Sequence, residues 1–523
     1  MSLIATLDTR ARAAVTTFER RVALQKAATT LLFVLLALMV VSLQTWHFTD
    51  RRNYRDDEIR TVHAGLTMSP SEVVQWMSID IHPPFWRVMA TIWVSLFGPD
   101  EAITRFHSSL TVLLLLALMY RLMADHFGRT TALVATFLLG THALLLFYTH
   151  ELRPYAALLM WVLATHLFFL RWLRRPGFLY GALYVLSCAG ALYTHFFAIY
   201  TIAGQVVAFL LLVRWNPGLY LRAFGLWLAA GLSFLGWLPS FLHSYLISQP
   251  GGIGYSIPLD DPGSAGLLFD SLQIRPYSIG TLLTLAGLLL PFRRRFVPMD
   301  VTFRLRSWPK WYFVIGAVVG FVLVILTDLY VVSVLTNRNL IPLLPAIALL
   351  GALCLRALPW QATLLVLPLI LNPAVRDFMD FQRNQPYREV LAFVRETYDD
   401  HEPVIISVDQ GTGSYFTYAY TLLDRLPGRI DQSDMFYLTL GGPDINLPDP
   451  PLNHVTDASP ANLERFADLT RDADEVFWIW SSDEAPYVQT YRDALLAEGF
   501  QVTRSEQFSS YGSEYVVEAY RQR

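Results

Sequence analysis

Polar and ionisable side chains that a membrane helix does not require recur beside apolar runs. They are Asp56, Asp57 and Glu58 in YRDDEIR, Asp80 and His82 in DIHPPF, Glu151 and Arg153 in YTHELRPY, His195 in YTHFF, and Asn337 and Arg338 in LTNRN. Carboxylates on one segment facing guanidinium and imidazole groups on others suit the transfer of a group away from an anion, where a proton acceptor and a cationic clamp must coexist. Each motif also has a plainer reading. RDDEIR is a solvated helix start, with acids at the positive end of the dipole and Arg55 and Arg60 as neighbours. An arginine at a helix end usually snorkels to lipid headgroups. Asp80 with His82 reads equally as a proline-fixed turn capped by its aspartate and as two ligands of a divalent cation.

The elements that must hold these residues are membrane helices. Of 523 residues 54% are hydrophobic and 16% charged, which lies outside the range of an ordinary soluble domain. The net charge of -3 gives no argument for a nucleic-acid partner. Cys188 and Cys354 both lie in hydrophobic runs, so no disulfide framework follows. Charge-free runs predict about eleven spans of roughly 20 residues each. They lie near 27–47, 106–120, 130–149, 154–170, 177–194, 198–213, 223–242, 276–292, 311–327, 340–355 and 357–375. The first is read as an uncleaved helix: it is long for a signal peptide and no small-residue cleavage site follows. The uncharged stretch 176–213 is too long for one helix and must turn at Tyr193–Phe197, which puts His195 at a membrane surface.

Arginine-rich connections around Arg121 and Arg129, Arg171 to Arg175, Arg214 and Arg222, Arg293 to Arg295, and Arg356 all fall on one side. The positive-inside bias makes that side, and the N-terminus, cytoplasmic. The segment 48–105, the tips Tyr148–Tyr155 and Tyr193–Phe197, the loop 243–275, the tip 327–339 and the tail then lie outside. In the first outer segment SPSE, Ser69 to Glu72, is a capping box with proline at the first helical position. The run FWRVMATIWVSLFG is too short to span and reads as an interfacial helix ending at Gly98. After Pro373 short β-rich runs alternate with helical ones. A transmembrane catalytic domain over 1–376 and an extracytoplasmic α/β domain over 377–523 are expected. DQGTGSY, Asp409 to Tyr415, is a Gly-rich turn without a nucleotide-binding pattern.

The ordered set DE (Asp57, Glu58), DIHPPF, LFGPDEAITRFHSSL, YTHELRPYAALLM, YTHFF and NRNLIPLLPAIALLGA resembles the GT-C superfamily of integral membrane glycosyltransferases. Within it the pattern is similar to bacterial relatives of the family 39 protein O-mannosyltransferases and aminoarabinose transferases. The resemblance spans about the first 355 residues; the MIR-type insert of eukaryotic protein mannosyltransferases is absent, and the tail has no counterpart. It implies a polytopic helical GT-C fold and transfer, with inversion, of a mannose-like sugar from a polyprenyl phosphate to an acceptor hydroxyl on protein, lipid or glycan. Asp57 is then the catalytic base, with Glu58 beside it. Arg153, His195 and Arg338 meet the donor phosphate. Asp80, His82, Tyr148, Glu151 and Asn337 bind substrate or support the site, and a divalent cation is an open option.

Two other classes compete. A secondary transporter would place ionisable groups at mid-membrane and show an internal repeat; the mid-span candidates are only His107, His142 and His166, and no repeat is visible. A non-catalytic scaffold presenting the tail as a receptor would leave the DDE and HPP segment without a purpose.

Overall fold

The computed structural model describes Val34, residues 37–46, Tyr54, 56–80, 82–243, Leu272, 279–290, 302–305, 307–332, 334–359, 362–363, 365–366, 368–371, 389–390, Phe393, Glu396, 402–407, 435–438, 454–455, 457–481, 487–510 and 513–522; the side chains of Asp56, Asp57, Ile279, Met435, Tyr437, His454, Ser481, Ser509, Ser510, Ser513 and Glu514 lie outside this description. Within residues 48–105 the chain forms α1 (Asp56–Thr67), α2 (Pro70–Met77) and α3 (Pro84–Phe97). The capping box expected at Ser69 is present, with Pro70 opening α2. Gly98, at φ 83°, ends α3 in the left-handed region that glycine enters without strain.

The bundle follows as α4 (Glu101–Phe127), α5 (Arg129–Gly140), α6 (Ala143–Thr149), α7 (Tyr155–Arg174), α8 (Phe178–Thr194), α9 (Ala198–Leu212), α10 (Pro217–Phe234) with its short continuation α11 (Leu238–Leu242), α12 (Ile279–Leu289), α13 (Trp308–Tyr330), a 3-10 turn (Asn337–Leu343) and α14 (Leu344–Ala357). The expectation of about eleven spans is corrected here. Among the described residues five helices are long and apolar enough to cross a membrane: α4, α7, α10 through α11, α13, and Asn337–Ala357. The bent pair α5 and α6, at 64°, would make a sixth. An apolar run measures only how far lipid-compatible sequence extends, whereas a span needs one continuous helix of about 20 residues. The run across His195 is cut into helices of 17 and 15 residues, and α12 has 11. The expected spans at 27–47 and 357–375 lie partly outside the described residues.

Breaks within the bundle are chemically sealed. The carbonyl of Gly140, at the α5–α6 bend, accepts from the Gln44 amide at 2.6 Å, and Thr149 donates to the Gln44 oxygen at 2.6 Å. Both groups are buried, where an unmade bond would cost about 1–3 kcal/mol. α9 and α13 cross at Gly204 and Gly316, where a Cβ on Gly204 would meet the Gly316 backbone.

The tail is corrected as well. It is not a simple alternation of strands and helices but a mixed six-stranded sheet, in the order β3-β2-β1-β4-β6-β5. The strands are β1 (Val404–Ser407), β2 (Met435–Leu438), β3 (His454–Val455), β4 (Glu475–Ser481), β5 (Phe500–Ser510) and β6 (Ser513–Gln522), with helices α15 (Pro460–Thr470) and α16 (Val488–Ala497). β1 pairs in parallel with β2 and β4; β6 is antiparallel to β4 and β5. Strand side chains alternate between faces. Ile405 and Trp478 pack in one cluster with Phe466 of α15 and Tyr491 of α16. On the other face Val404, Ile406, Phe477, Ile479 and Val517 share a cluster with Ile59 and Val62 of α1, Trp86 and Ala90 of α3, and Leu152 from the connection between α6 and α7. The chain is a multi-pass membrane protein whose soluble C-terminal domain stands against the segment 48–105. The DQGTGSY turn lies outside the described residues.

Candidate active site

Tyr148, Glu151, Arg153 and Tyr155 come from the sharp connection between α6 and α7; His195 from the turn between α8 and α9; Asp80 and His82 from the turn between α2 and α3; Arg338 from the 3-10 turn after α13. These four connections converge. The His82 ring meets His195 edge-on at 5.5 Å between centroids, and the His195 ring lies 5.5 Å from that of Tyr155. Tyr155 packs at 4.4 Å against Tyr148 and carries the Arg153 guanidinium 5.7 Å from its ring centre. The charges of both Arg153 and Arg338 act on Tyr148 and on His195.

Local bonds fix the protons. Asp80 Oδ1 accepts the His82 backbone N–H at 2.8 Å, closing the turn that the prolines after it hold, and sits 3.0 Å from His82 Nδ1. Burial pushes the Asp80 carboxyl up, but the His82 hydrogen bond and charge and the Arg87 charge outweigh it, so it lies below its ordinary range. Burial pushes His82 down; Asp80 opposes this, while Arg153 and Arg87 add to it, and the net direction is downward. Near neutral pH the pair is therefore carboxylate and neutral imidazole, with the His82 proton on Nδ1 facing Asp80. His195 is also depressed, by burial first and then by His82, Arg338 and Arg153. Its Nδ1 accepts the Phe197 N–H at 3.3 Å, which leaves the proton on Nε2. His195 is a neutral hydrogen-bond donor within the field of two arginines, Arg153 and Arg338.

The DE pair is placed differently. Asp57 is the second residue of α1, and its side chain lies outside the described residues. Glu58 is buried against Arg105 of α4: Nε donates to Oε1 at 2.9 Å and Nη2 to Oε2 at 2.7 Å. Oε1 also accepts the Leu152 N–H at 2.8 Å. This two-pronged pair ties α1, α4 and the tip carrying Arg153 together. Glu151 is buried in that tip, and its carbonyl accepts from Ser108 at 2.6 Å. Asn337 uses its side-chain oxygen on the Arg338 N–H at 2.8 Å. Among the described residues no group of three His, Cys, Asp or Glu could hold a metal ion.

Sequence reasoning missed Arg87, Arg105 and Asp328. Arg87 is buried between Trp76 and Trp86 and bonds Thr61 of α1. A single arginine inside the apolar run FWRVM was the available signal. One oxygen of Asp328, at the end of α13, accepts the N–H groups of Val334 and Leu335 at 2.6 Å each, while the Asn339 amide donates to the Val334 carbonyl at 2.7 Å. These bonds hold the stretch that presents Arg338.

An apolar cleft lies between α9, α13 and α14. Phe197 and Asn339, neighbours of His195 and Arg338, line it near the cluster; Phe313 and His166 line it deeper in the bundle.

The family model described as dolichyl-phosphate-mannose-protein mannosyltransferase matches residues 81–243. No curated protein matches the chain. Among solved structures the chain is similar to ArnT from Cupriavidus metallidurans, both in the apo state and bound to undecaprenyl phosphate. In each case the TM-score is 0.58 at 15% identity, covering 94% of this chain and 98% of that one. The Archaeoglobus fulgidus oligosaccharyltransferase gives a TM-score of 0.47 at 14% identity, over 85% of this chain and 68% of that one. At low sequence identity, and over nearly its whole length, the chain shares the fold of ArnT.

Proposed function

We propose that the chain transfers a mannose-like sugar, with inversion, from a polyprenyl phosphate to an acceptor hydroxyl at the outer face of the membrane. The observation that carries this reading is that the charges of two arginines, Arg153 and Arg338, act on the histidine donor His195, while the chain neighbours Phe197 and Asn339 line an apolar cleft. That combination suits a molecule with an anionic head and a long hydrocarbon tail, and ArnT, which shares the fold, has been solved with undecaprenyl phosphate bound.

In the reaction the acceptor oxygen attacks C1 of the sugar as the bond from C1 to the phosphate oxygen breaks. Asp57 takes the acceptor's proton, and the polyprenyl phosphate leaves carrying the bond's electrons. Negative charge grows on the phosphate, where Arg153 and Arg338 offer guanidinium forks and His195 offers Nε2–H. Glu58, engaged by Arg105 and the Leu152 N–H, anchors the helix that carries Asp57. Asp80 and His82 shape the sugar side, with Tyr148 and Tyr155 as stacking surfaces. The acceptor is a protein, lipid or glycan.

The test incubates purified protein with a panel of polyprenyl-phosphate sugars and follows loss of sugar from the lipid by mass spectrometry. Enzyme-dependent loss from one class of donor is expected. No loss from any donor, in the presence of envelope extract as a source of acceptor, would refute the reading.

A further inference from the structure

The cleft ends on a polar group that the transfer chemistry leaves unused. His166 lies on α7, about 16 Å further along the helix than Tyr155 at 1.5 Å per residue, and is only 6% exposed. Its neighbours fix which nitrogen carries the proton. The Thr165 hydroxyl donates to the Val162 carbonyl at 2.8 Å, so its oxygen accepts from Gln205 at 2.7 Å. Gln205 must therefore present its amide nitrogen on that side, while its oxygen accepts from Tyr184 at 3.2 Å. The same nitrogen reaches His166 Nδ1 at 3.2 Å, and the Tyr312 hydroxyl lies 3.1 Å from that atom. An amide nitrogen can only donate, so Nδ1 accepts and the ring proton sits on Nε2. Nε2 has no hydrogen-bond partner among the described residues, and His166 lines the cleft.

The rest of the cleft lining is mostly apolar, with Phe313, Phe321 and Val324 among its residues and Tyr200, Thr201 and Asn339 as its other polar members. A donor facing hydrocarbon is unfavourable unless the occupant supplies electrons. The acceptors that an isoprenoid tail carries are its carbon–carbon double bonds, whose π faces take a weak bond from N–H. At roughly 5 Å for each isoprene unit, from four carbon–carbon bonds along the chain, the distance to His166 corresponds to about the third unit from the phosphate. We propose that the cleft holds the isoprenoid tail of the donor and that His166 Nε2–H bonds the double bond near that third unit, so that the protein selects unsaturated over saturated lipid donors. This rests on the transfer reading above and adds a specificity-determining residue to it.

The experiment compares two donors of equal chain length, one with its double bonds intact and one fully hydrogenated, in wild type, His166→Phe and His166→Gln. Wild type should show a KM two- to five-fold lower for the unsaturated donor at similar kcat. His166→Phe should use both equally, and His166→Gln, which keeps an N–H donor, should regain part of the preference. Equal KM values in wild type, or an unchanged preference in His166→Phe, would overturn the proposal. In parallel, the two sugar-free lipid phosphates are compared by the thermal protection that they give. A preference there without sugar transfer from any donor would support tail recognition and sink the transferase reading; equal protection would count against His166 alone.

Discussion

At the scale of single residues, the site sorts acids by what surrounds them. On a helix, side chains diverge by about 100° per residue, so Asp56, Asp57 and Glu58 cannot share one target. Glu58 points into its pair with Arg105, and the proposed reading assigns the base to Asp57. Asp57→Asn keeps the shape but cannot take a proton; transfer should fall by about 10² to 10⁴ with donor affinity unchanged, while Asp56→Asn stays active. Initial rates and donor affinities for both variants check this, and a dead Asp56→Asn would move the base by one residue. Asp328 acts through Arg338. Asp328→Ala loses the acceptor of two N–H bonds and should raise donor KM by about ten-fold; Asp328→Asn retains an acceptor oxygen and should recover most of it. An Asn variant as impaired as the Ala variant would argue against this latch. The residue types were legible in the sequence because ionisable groups stand out in an apolar chain. Their partners were not: nothing local shows that Glu58 and Arg105, 47 positions apart, meet.

At the scale of elements, the site depends on connections rather than on helix interiors. The α2 start and the α3 end were readable because a capping box and a terminal glycine are local signals. The number of spans was not, since whether an apolar run stays one long helix depends on packing: the Thr141–His142 bend divides a run that composition leaves whole, and the turn expected at His195 leaves helices of only 17 and 15 residues. β5 is hard to read from sequence for a related reason: as an edge strand with residues 501–507 exposed, it shows no apolar alternation. The Glu58–Arg105 pair is the clasp between α1, α4 and the Arg153 tip. Glu58→Gln leaves a buried guanidinium facing a neutral amide, and a loss of about 3 kcal/mol is expected. Thermal unfolding in detergent measures it; an unshifted midpoint would show that the clasp does not contribute to stability.

At the scale of the whole molecule, the shared hydrophobic cluster puts the C-terminal sheet on the same side as the first outer segment. Cys188 and Cys354 are buried, so an added surface cysteine can report alone. Ser505→Cys and Ser71→Cys should react with an impermeant thiol reagent in intact cells, and Arg304→Cys should not; labelling only of Arg304→Cys would invert the orientation inferred from the arginine-rich connections. The account's central claim is that Arg338 and its neighbours receive the phosphate of a polyprenyl donor. Its most direct test is donor binding and sugar transfer by wild type, Arg338→Lys and Arg338→Ala. A guanidinium fork making charge-assisted bonds is worth about 1.5–3 kcal/mol, so Arg338→Ala should bind the donor roughly 10- to 100-fold more weakly. Arg338→Lys, with its charge but not its fork, should fall between. Wild-type affinity and turnover in folded Arg338→Ala would contradict the claim.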